Sequence, residues 1–135
     1  MPDFGAIPWV GVLVAVVASQ VIGFLWYGPL FGKPWLAAMG KTKEEMGSGS
    51  VGPAVAIGTL CSVAAAVALA IILTMSQTPD MASGAKIGLL GAVLVASYIE
   101  ITTVYEQRPP VLGMIAMGNQ TVTLVVMGAI IGAMW

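Results

Sequence analysis

The chain divides into four apolar stretches, residues 7–28, 51–75, 86–105 and 111–134, and only the third holds charged side chains, Lys86 at its start and Glu100 inside it. A helix needs about 20 largely apolar residues to cross a hydrocarbon core roughly 30 Å thick, and each stretch meets that length. Charged residues make up 8% of the chain, against about a quarter in soluble domains, too few to build a water-facing surface. The sequence therefore predicts an all-α integral membrane protein: one domain over residues 1–135, with four transmembrane helices and a short interfacial helix between the first and second.

The remaining composition excludes several function classes. Five Lys and Arg residues are scattered along a chain of net charge −1, which lacks the basic footprint of a nucleic-acid binder. Histidine is absent and Cys61 stands alone, so one chain offers no transition-metal set, no disulfide framework and no cofactor ligands. Met1-Pro2-Asp3 lacks the basic region of a cleavable signal peptide, and the following apolar run reads as a retained first helix.

Taken in order, the first span is framed by Trp9 and by Trp26-Tyr27, rings suited to the two headgroup belts. Gly11, Ala15, Ser19 and Gly23 place a small residue at every fourth position, which lets a second backbone approach. Gly28 and Pro29 break this span, and Pro34 suits the first turn of a short interfacial helix anchored by Trp35. Gly40 should end that helix, and Thr42 with Glu45 forms a capping-box pattern for another brief turn. Gly47-Ser48-Gly49-Ser50 reads as linker.

The second span carries Gly58, Ser62, Ala66 and Ala70 at the same spacing. Ser76 to Asp80 is turn chemistry. The third span carries Gly84, Gly88, Ala92 and Ala96, and the next four-residue step lands on Glu100, which is therefore expected to point inward. Glu106-Gln107-Arg108-Pro109-Pro110 reads as a polar hairpin before the fourth span, which holds Gly128 and Gly132 and ends at an interfacial Trp135. Such stripes lie on more faces than one four-helix bundle needs, which predicts a homo-oligomer in the lipid bilayer, with a membrane-protein partner as a further candidate.

Lys33, Lys41, Lys43 and Arg108 belong to the first and third connections, against Lys86 alone on the other side. That bias puts those connections in the cytoplasm and both termini on the non-cytoplasmic face of the inner membrane.

Counting about 1.5 Å per residue from the first and third connections puts Gln20, Ser62, Glu100 and Asn119 near a common depth of about 13 Å. With Gln120 beside Asn119, these residues are a candidate buried polar layer. Two readings stay open. The layer could bind a proton or cation at Glu100 on a transport path, the default for an ionisable residue at such depth. It could instead be helix glue in a structural or accessory protein. An enzyme is not expected, since Glu100, Glu106 and Arg108 do not form an acid/base pair at one depth.

The run WYGPLFGKPW from Trp26 to Trp35, followed by Met39-Gly40 and Glu44-Glu45, resembles the signature of a small bacterial membrane-protein family catalogued as domain of unknown function 1761. Glu106, Arg108-Pro109, Asn119 and Val126-Met127-Gly128-Ala129 resemble its second region. The resemblance implies four spans and carries no activity; Glu100 is not part of the pattern.

Overall fold

The computed structural model describes residues 1–47 and 51–135, most of which are helical and none of which form a strand. Its four long helical segments, Trp9–Leu30, Gly52–Thr74, Met81–Tyr105 and Pro110–Ala133, are each long and apolar enough to cross a membrane. The fold expected from the sequence is the one observed.

Helix α1 spans Trp9–Leu25, and the expected break follows at Gly28, whose φ −105° and ψ −105° are not helical and kink the chain. Residues Trp26–Leu30 form a widened turn in which Phe31 N–H donates to the Trp26 carbonyl, five residues back, at 2.9 Å. Pro29 supplies no N–H to an ordinary helical ladder, which accounts for the altered hydrogen bonding. Helix α2, Gly32–Met39, follows directly. A Cβ at Gly32 would lie 2.8 Å from the Tyr27 carbonyl oxygen, so the bend requires glycine there.

Gly40, at φ +68°, ends α2, with Lys41 N–H on the Leu36 carbonyl and Gly40 N–H on the Ala37 carbonyl, both at 3.1 Å. This pair of bonds is the Schellman arrangement. Helix α3 covers Lys43–Gly47, and Thr42 Oγ1 accepts from Glu45 N–H at 3.2 Å. Ser48, Gly49 and Ser50 of the expected linker lie outside the described residues.

Helix α4 runs Val51–Thr74, α5 Met81–Tyr105 and α6 Pro110–Ala133. Helix α5 starts at Met81, ahead of the expected boundary at Lys86, because a capping box sets its start. Ser83 N–H donates to Asp80 Oδ1 at 2.7 Å, and Asp80 N–H donates to Ser83 Oγ at 2.8 Å. The hairpin after α5 turns through Gln107 at φ +54°, with Arg108 N–H on the Thr103 carbonyl at 3.0 Å. Glu106 and Arg108 pair at 2.6 Å in an exposed position, where such a bridge contributes little.

The tightest pairing is the antiparallel α5–α6 hairpin. Gly84 and Gly88 face Gly128 and the Leu124 backbone, and Gly132 faces the Asp80 carbonyl. The expected small-residue contact thus holds at Gly88, Gly128 and Gly132, and on α1 at buried Gly11, Ala15 and Ser19. It does not hold at Gly23 or Gly58, where an added Cβ would meet nothing within 4 Å.

Gly11 lies against Met134, so both termini share one end with the 76–80 turn. At the other, basic end are α2, α3 and the 106–109 hairpin. The apolar core, with Ala15, Ala66, Ala70, Leu73, Met127 and Ile131 almost fully buried, occupies the half nearer the termini.

Candidate functional site

Toward the basic end, α4 stops packing closely and small polar side chains replace the aliphatic core. Helix α1 contributes Ser19 and Gln20, α4 contributes Thr59 and Ser62, and α6 contributes Asn119, Gln120 and Thr123. Asn119 and Thr123 stand one turn apart, so they share a helix face. Ser19, Gln20, Ser62, Asn119, Gln120 and Thr123 line a cavity of about 500 Å³. Its rim is Gly23, Phe24, Val55 and Gly58, of which Phe24 and Val55 are 77% and 57% exposed.

The two sides of the cavity differ in how their polar groups are satisfied. Gln20 Nε2 donates to Ser62 Oγ at 3.0 Å and to Ser19 Oγ at 3.3 Å, and Gln20 Oε1 lies 3.3 Å from Thr59 Oγ1. Ser19, Thr59 and Ser62 also donate to backbone carbonyls of their own helices. The α6 side is different. Asn119 and Thr123 are 7% and 9% exposed, and Asn119 Oδ1 and Thr123 Oγ1 have no hydrogen-bond partner among the described residues. A buried polar atom left without a hydrogen bond costs about 1 to 3 kcal/mol, so two adjacent ones on residues that line one cavity are not explained by helix packing.

Glu100 is not part of this layer. It is exposed on the outer face of α5, which corrects the inward orientation expected from the four-residue stripe. Each four-residue step advances about 40° around a helix of 3.6 residues per turn, so four steps from Gly84 turn Glu100 by roughly 160° away from the packed face. Thr103 occupies that face instead: it is 6% exposed, donates to the Ile99 carbonyl at 2.7 Å and touches Gly113.

The depth count also failed for Glu100, because it treated the non-helical hairpin as helix. In the α5–α6 pairing Gly84 faces Gly128 and Gly88 faces Leu124, a register that sets Asn119 about seven residues, roughly 10 Å, deeper than Glu100. Gln20, Ser62, Asn119 and Gln120 do meet around the cavity. Thr123 and Thr59 were missed, although Thr123 could have been found as the residue one turn beyond Asn119.

The aromatic residues divide as well. Trp9 is 52% exposed, as suits an anchor, while Trp135 packs partly against the core. Tyr27 and Trp35 meet edge to face with centroids 4.9 Å apart, joining the bend to α2. Trp26, expected as an interfacial anchor, is a strut between helices. Its Nε1–H donates to the Ile115 carbonyl of α6 at 2.9 Å, and its ring covers Gly118, where a Cβ would lie 2.8 Å from Trp26 Cζ2.

No curated protein and no solved structure matches the chain. The family model described as "Protein of unknown function (DUF1761)" matches residues 10–132. That match takes in all four membrane-length helices, the bend and the cavity, and the chain belongs to the DUF1761 family.

Proposed function

We propose that this protein is a small membrane carrier that binds a polar solute midway through the bilayer, in the cavity between α1, α4 and α6. The observation that supports the reading is the pair Asn119 Oδ1 and Thr123 Oγ1, both buried, both on residues that line the cavity and neither bonded among the described residues. Groups kept unsatisfied in this way fit a site whose partner arrives from outside. The cavity rim lies toward the basic end and the apolar core fills the other half, an arrangement that fits access from one side at a time. Under the loop-charge rule the rim would face the cytoplasm and the termini the opposite side of the inner membrane. Glu100 is outside the cavity and carries no part of this reading, except as an outward carboxyl that a second copy of the chain could cover in a homo-oligomer.

A second reading, an accessory protein without a substrate, draws support from Gln20, whose Nε2 is satisfied by Ser19 and Ser62 as helix glue would be. Reconstituted liposomes separate the two. A carrier admits at least one polar or ionic solute faster than protein-free vesicles, and Asn119→Leu slows it. No solute-dependent difference across a panel of sugars, polyols, amides and salts would leave the accessory reading standing.

A further inference from the structure

We infer that the cavity selects small, uncharged solutes bearing hydroxyl or amide hydrogens, which donate to Asn119 Oδ1 and exchange a hydrogen bond with Thr123 Oγ1; this rests on the carrier reading. Three observations lead to it. Every polar residue lining the cavity is a serine, threonine, asparagine or glutamine. An ion there would have no opposite charge to compensate its lost hydration, and a low-dielectric wall makes that loss severe. Next, Asn119 Oδ1 can only accept, so its partner must bring an N–H or O–H, whereas the Thr123 hydroxyl can serve either way. Lastly, about 500 Å³ falls in the range of small-molecule sites and far exceeds what one dehydrated ion fills.

The satisfied side of the cavity gives a shape to this selectivity. Gln20 Nε2 donates to two hydroxyl residues, Ser19 and Ser62, so it forms a fixed wall rather than competing for the solute. Thr123 and Asn119 are the free positions opposite. Phe24 and Val55 at the rim are apolar, so a solute sheds water before it reaches them, which disfavours charged species further.

Stopped-flow light scattering on liposomes holding the full chain tests this with four probes: xylitol and urea as neutral donors, sodium and acetate as ions. We expect xylitol or urea to enter faster than into protein-free vesicles while sodium and acetate do not. Thr123→Val, which keeps the side-chain shape, and Asn119→Leu should each slow entry about five- to tenfold, the value of one hydrogen bond. Gly58→Leu, placed in open space at the rim, should slow it without loss of fold. Entry of an ion with both neutral solutes at the protein-free rate would overturn the selectivity and leave the carrier reading intact. Entry of none of the four would remove both. Neutral flux unchanged by Thr123→Val and Asn119→Leu would overturn the site.

Discussion

Gly84 of α5 and Gly128 of α6 pack backbone against backbone, each standing where the other's carbonyl oxygen would collide with any added Cβ. This contact, repeated at Gly88 against the Leu124 backbone and at Gly132 against Asp80, makes α5 and α6 a closely packed pair. Dispersion and close approach, rather than hydrophobic burial, hold helices together in lipid, which is why glycine at these positions matters.

Adding one methyl group should therefore be costly at these contacts and nearly neutral where the helices do not touch. Gly84→Ala or Gly128→Ala forces the backbones apart and is expected to cost about 1 to 3 kcal/mol or more. Gly23→Ala and Gly58→Ala meet open space and should stay within about 0.5 kcal/mol. Thermal unfolding of the purified variants in one lipid or detergent checks this; equal losses at all four positions would show that α5–α6 packing is not special.

Thr123→Val separates a binding role from a structural one. A hydroxyl without a partner is a burden on the fold, so its replacement by an isosteric apolar group should raise stability by about 1 to 2 kcal/mol while slowing solute entry. A fall in stability would mean that the Thr123 hydroxyl holds the helices together.

Trp26→Phe tests the strut across the cavity's basic end. Loss of the bond to the Ile115 carbonyl should cost about 0.5 to 1.5 kcal/mol. The indole emission of the remaining tryptophans gives the unfolding midpoint, and an unchanged midpoint would return Trp26 to the role of a simple anchor.

Acid should weaken the start of α5. The Ser83 backbone N–H bonded to Asp80 is the main cause that holds this carboxyl below its ordinary value of 3.8, helped by the Ser83 hydroxyl and by Lys86. A carboxyl depressed in the folded state adds stability above its ordinary pKa and loses it as pH falls through the folded value. Unfolding scans should thus be flat from neutral pH down to about that ordinary value and decline below it, and Asp80→Asn should flatten the decline.

Much of the architecture was legible in the sequence because a bilayer leaves so few options: charge-free runs at 7–28, 51–75 and 111–134 could hardly be anything but spanning helices. Gly88, Gly128 and Gly132 were legible for the same reason. Glu100 was misread because a four-residue stripe drifts around a helix, so the residue that extends Gly84 to Ala92 on the packed face is Thr103. The polar layer was found by depth through Gln20, Ser62 and Asn119. Which of its members is satisfied could not be read, since Asn119 and Gln20 carry the same amide and only their neighbours differ.

The outward position of Glu100 also bears on the membrane itself. Lys86 and Glu100 are both exposed on α5 and point within about 40° of one another, some 21 Å apart along the axis. The apolar band on that flank is therefore shorter than a hydrocarbon core of about 30 Å, a case of hydrophobic mismatch. Lipid beside α5 must thin, or the helix must tilt, until both charges reach headgroups. The protein should accordingly unfold at a higher temperature in short-chain than in long-chain lipid, and Glu100→Leu should remove the difference; a variant that kept the full preference would place its origin elsewhere in the bundle.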